Sequence, residues 1–168
     1  MTVQPSRPGA PGEWVLLSYR IPREPSTPRI TIWRKLKRLG VAQISDGLVA
    51  LPADARTREH LDWIADEILD AGGNASVWIA HPGTTATERD LATAMATARA
   101  AEYTKVITEA TAAAGRDETS RLSLARRLRA ELRRIHRRDY FPPAERDQAN
   151  AAVNALTQPI PHPEEQPS

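Results

Sequence analysis

Apolar and polar side chains alternate from Trp14 to Arg20, so that Val15, Leu17, Tyr19 and Ile21 share one face and Trp14 and Leu16 the other. This period of two predicts a strand over 14–20. The period then changes to 3.6. Over 28–39, Ile32, Trp33, Leu36 and Leu39 fall on one side of a helix, with Arg34 and Arg38 opposite and Lys35 and Lys37 flanking them. Thr27 is expected to cap that helix, Pro28 to take its first position and Gly40 to end it. Asp46-Gly47 predicts a two-residue turn between strands at 41–45 and 48–51. A second helix, over 55–71, gathers Leu61, Ile64, Ala65, Ile68 and Leu69 into one stripe and sends Trp63 to the other side. A last strand, 75–80, turns Val77 and Ile79 toward the helices and Trp78 away from them, with Trp14 and Leu16.

The order is βαββαβ, which predicts an α+β chain with a ferredoxin-like domain over 13–82. Three further helices, near 86–113, 118–138 and 143–156, make a helical extension over 83–156 that is expected to pack on it. The Pro- and Gly-rich stretch 1–12 and the tail 157–168 are expected to be disordered. A ferredoxin-like sheet has helices on one face only. Trp78 is therefore expected to be mostly buried on the other face, under the C-terminal helices or a second subunit, and a homodimer is expected. The rival reading has Trp14 and Trp78 stacking bases, as sheet aromatics do in some RNA-binding domains, but these strands carry few basic residues.

Cysteine is absent from the 168 residues, which excludes disulfides, thiolate zinc sites and cysteine nucleophiles. No apolar run approaches the roughly 18 residues a membrane helix needs, and the start of the chain lacks a basic-then-apolar signal. The expectation is a cytoplasmic protein without membrane contact. The net charge of +2 says little, but its distribution is uneven. Arg121 to Arg138 holds eight arginines and one acid, Glu131, whereas Asp54 to Asp70 holds six acids against Arg56 and Arg58. One surface should attract polyanions and another repel them.

In the arginine-rich helix Leu124, Leu128, Leu132 and Ile135 form the stripe expected to be buried. Two ridges stand outside it: Arg126, Arg133 and Arg137, then Arg127, Arg134 and Arg138. Guanidinium groups arrayed this way suit phosphate oxygens, which they meet with paired donors. The alternative is a solvated face whose arginines pair with Glu59, Asp62, Asp66 and Asp70.

Signals for catalysis are weak. His60, His81, His136 and His162 are scattered, with no second histidine at i+3 or i+4. Asp62, Asp66 and Asp70 lie along one helix face, but a hard cation needs more converging oxygens than such a face supplies. Gly72-Gly73 reads as a helix stop. No catalytic residue, metal or cofactor is expected.

Five phrases occur in order along most of the chain: SYRIPREPSTPRITIWRKLKRLG followed by DGLVALP, TREHLDWIADEI with GGNASVW, and RRIHRRDYFPP. In this the chain resembles the N-terminal domain of the ChrB chromate-resistance regulators and, more distantly, the middle domain of PaaX-type repressors. The resemblance implies a regulatory protein that binds duplex DNA. Members are expected to carry a second, C-terminal domain, and this chain stops at Ser168. CRISPR-associated nucleases with a related fold use an aspartate near the end of the first strand; Ser18, Tyr19 and Arg20 stand there, which argues against nuclease chemistry. The DNA-contacting candidates are Arg34, Lys35, Lys37, Arg38, Arg126, Arg127, Arg133, Arg134, Arg137 and Arg138. The other class of function is a non-catalytic dimerisation or assembly module without direct DNA contact.

Overall fold

The computed structural model describes residues 12–160, and the rest of the two ends expected to be disordered lies outside them. The elements run β1 (Trp14–Arg20), α1 (Ser26–Leu39), β2 (Ala42–Ser45), β3 (Leu48–Pro52), α2 (Ala55–Asp70), β4 (Asn74–Ala80), α3 (Thr85–Ala112), α4 (Glu118–His136) and α5 (Glu145–Ala155). Two compact units result. The first runs to Ala96 and takes in Arg138–Phe141; the second comprises Thr97–Arg137 and the residues from Pro142 on.

In the first unit the sheet order is β2-β3-β1-β4, with β1 antiparallel to both β3 and β4. This is the ferredoxin-like arrangement that the βαββαβ order predicts. Alternation along the strands sends Val15, Leu17, Val49 and Leu51 into the core, where they meet Leu36 of α1 and Leu61 and Ile68 of α2; all seven are fully buried. Each such side chain contributes roughly 1.5–3 kcal/mol through the water it leaves.

α2 starts on a capping box. Asp54 accepts from the Thr57 amide at 2.8 Å, and Thr57 Oγ1 accepts from the Asp54 amide at 2.9 Å. The Thr57 hydroxyl donates to the Pro52 carbonyl at 2.7 Å, which accounts for a threonine with no exposed surface.

The Asp46-Gly47 turn joins β2 to β3, and Gly47 sits at φ 73° while its carbonyl accepts from the Tyr19 amide at 2.8 Å. A Cβ there would run into the Tyr19 carbonyl oxygen. Gly47→Ala is expected to cost about 1–2 kcal/mol in left-handed backbone alone, and more through that collision. A thermal melt should show the loss, and an unchanged melting temperature would mean that the turn relaxes freely.

Three expectations are corrected. Thr27 does not cap α1: the helix begins at Ser26, after an extended Pro25 that provides no side-chain cap, so Thr27 and Pro28 lie inside the first turn. Leu69 is 50% exposed, because one step past Ile68 turns it about 100° from the line of the buried stripe. Trp78 is 60% exposed, with its indole N–H donating to Ser76 Oγ at 2.9 Å. It does stand on the face away from α1 and α2, in register with Leu16. That face is covered at its other end, where Trp14 is buried against Phe141, ring centroids 6.0 Å apart, with Leu91 and Met95 in the same cluster. Glu88 accepts from the Trp14 indole at 2.9 Å and from the Gly12 amide at 2.8 Å.

The second unit has its own core, built from Tyr103, Val106 and Ala110 of α3, Leu124, Leu128, Leu132 and Ile135 of α4, and Ala149 and Val153 of α5. The leucine stripe of the arginine-rich helix is buried, as its period predicts.

Candidate nucleic-acid interface

The buried leucine stripe of α4 fixes where its arginines point. Asp117 anchors the start of that helix, accepting from the Ser120 amide at 2.9 Å and the Ser120 hydroxyl at 2.7 Å. These bonds, the hydroxyl's first, hold the Asp117 carboxyl below its ordinary pKa.

Arg126, Arg133 and Arg137 are exposed, and none has an ion pair among the described residues. Their spacings of seven and four residues keep them within about 20° of one line over about 17 Å. The neighbouring ridge is occupied: Arg127 pairs with Glu109 of α3, and Arg134 with Glu131 at 2.8 Å. Arg138 is half-buried and belongs to the first unit.

On α1 the burial of Ile32 and Leu36 turns Arg34 and Arg38 to solvent. Lys35 is held by Glu67 of α2, at 2.7 and 2.5 Å from its two oxygens, and the Lys37 ammonium lies 5.4 Å from the centre of the Trp33 ring.

The structure adds residues that sequence reasoning missed. A cleft of about 650 Å³ opens between the end of β1, the start of α1 and the Asp46-Gly47 turn, lined among others by Tyr19, Arg20, Arg23, Arg29, Trp33 and Asp46. Three guanidiniums face one carboxylate there, leaving the cleft positive. Tyr19 keeps its proton beyond the usual range: burial raises its pKa, Arg29 pulls it down and Asp46 pushes it up. Arg20, Arg23 and Arg29 were visible in the sequence only as isolated charges, since the cleft gathers them from a strand end, a connection and a helix.

Among the described residues no three His, Asp or Glu side chains converge as a metal would require, and no helix is long and apolar enough to cross a membrane.

An α+β chain with a ferredoxin-like sheet and an arginine-lined helical unit is the class that fold and surface define. The family model described as Protein ChrB, N-terminal, matches residues 29–165, and the chain belongs to that family. It is 28% identical over 170 residues to Protein ChrB of Cupriavidus metallidurans, an alignment covering 95% of this chain and 51% of that protein. The chain thus spans about half the length of this curated relative. No solved structure matches it.

Proposed function

We propose that this chain is a DNA-binding regulatory protein of the ChrB type, linked to chromate or oxyanion resistance. It grips duplex DNA by its phosphates. The observation that carries the reading is the line of Arg126, Arg133 and Arg137, which is exposed, unpaired among the described residues and mounted on a helix whose other face is locked in a core. Guanidiniums meet phosphate oxygens with paired donors and need no reorganisation when they are already free. The test is a gel shift at low salt on the promoter of the neighbouring genes: retardation supports the reading, and unchanged mobility contradicts it.

Phosphate contacts set position, and base contacts set sequence choice. We assign the second role to Arg34, which is exposed and without an ion pair among the described residues, aided by Lys37. Arg34→Ala should therefore shrink the preference for promoter over unrelated DNA by about tenfold, the size of one lost base contact, while leaving binding to unrelated DNA within about twofold. Competition assays with both DNAs read this ratio. An equal loss on both would make Arg34 a phosphate contact.

A second reading, a dimerisation or assembly module without DNA contact, is favoured by Trp78 and Ile79, 60% and 43% exposed on the edge strand β4. Sedimentation of the chain and of Trp78→Ser separates the two: a dimer abolished by the substitution, with no DNA shift, would favour assembly.

A further inference from the structure

Among the described residues Arg121 is the one charged side chain that is buried, with 5% of its surface exposed. It lies at the start of α4, and no carboxylate among the described residues pairs with it. Its Nη1 donates to the Leu156 carbonyl at 3.2 Å and to the Gln158 carbonyl at 2.9 Å, so the guanidinium closes the C-terminal end of α5. That structural role uses one nitrogen. Nε is buried with no partner, and no hydrogen bond from Nη2 is made within the described residues.

Nε is shielded from solvent, so Nη2 is the nitrogen left to meet a carboxylate oxygen with a charge-assisted hydrogen bond. Arg121 lines a cavity of about 410 Å³ whose other walls are mostly apolar, with Ala110 and Ala114 from the end of α3 and its turn and Ala152, Ala155 and Ile160 from α5 and beyond. A buried cation beside such walls, with no carboxylate among the described residues to pair with it, is costly to leave unpaired, since partial charges on two carbonyls do not equal an anion. We infer that this cavity binds a small carboxylate with an aliphatic body, its head on Arg121 and its chain along the alanines of α3 and α5. The site lies wholly within the second unit and is independent of the DNA reading.

Octanoate is the probe, with octanol as the uncharged equivalent of similar length. Calorimetric titration of the full chain should show saturable binding of one octanoate, with octanol at least about tenfold weaker, the effect of a charge-assisted hydrogen bond. Arg121→Met should erase the difference between the two. Because a core substitution can unfold the unit, Ala155→Trp is the second variant: Ala155 is exposed on α5 at the cavity wall, and an indole there should block entry and weaken octanoate about tenfold with the circular dichroism unchanged. Absence of saturable octanoate binding, equal affinity for octanol, or octanoate binding undiminished in Ala155→Trp would each overturn the inference.

Discussion

Replacing Trp14 with alanine should destabilise the chain by about 3–5 kcal/mol, the usual cost of truncating a buried tryptophan, and lower the melting temperature by roughly 10 °C or more. Three observations combine. The ring is 2% exposed, it stacks on Phe141, and its N–H is satisfied by Glu88, which would lose that partner. Trp14→Phe should recover much of the packing and none of the hydrogen bond, leaving a deficit of about 1 kcal/mol from that source. Trp78→Ala is the control: a side chain 60% exposed should change stability by no more than about 0.5 kcal/mol. Equal losses at the two tryptophans would mean that the Trp78 face is covered in solution, as in the assembly reading.

The second large effect is expected on the α4 line. Arg126→Ala, Arg133→Ala and Arg137→Ala together should weaken duplex binding about a thousandfold, at roughly 1.5 kcal/mol for each charge-assisted hydrogen bond lost. All three sites are exposed and at or next to the helix, and alanine is the best helix former, so circular dichroism and the melting curve should stay unchanged. The loss should be uniform across DNA sequences. Arg127→Ala and Arg134→Ala make the comparison, since those guanidiniums are already held by Glu109 and Glu131 and should matter less. The prediction is checked by fluorescence anisotropy of labelled duplexes. A greater loss from the paired ridge than from the free one would invert the assignment.

Much of the fold was legible because periodicity reports local geometry directly. The alternation over β1, the Asp46-Gly47 turn and the leucine stripe of α4 each found their place within a residue or two. What periodicity cannot tell is what lies across a face. It put Trp78 and Trp14 on the same side of the sheet, but only Trp14 lies under Phe141 and the start of α3, whose arrival there is tertiary. The α1 boundary slipped for a related reason: Thr27 and Pro28 suit a helix start, yet Pro25 lets the helix begin before both.

The candidate site was legible in part. Helical spacing separated the two arginine ridges, and Glu131 at i−3 from Arg134 was readable along the helix. That Glu109 would reach Arg127, and Glu67 reach Lys35, depends on which helices become neighbours. The cleft arginines Arg20, Arg23 and Arg29 share no spacing rule, so only the folded first unit brings them together.

Salt dependence tests the central claim most directly. If about four to six phosphates are neutralised, the logarithm of the duplex association constant should fall against the logarithm of salt with a slope of about −4 to −5. The variant lacking Arg126, Arg133 and Arg137 should show a slope shallower by about 3. A wild-type slope near zero, no binding at low salt, or the same slope in that variant would contradict a DNA surface on α4.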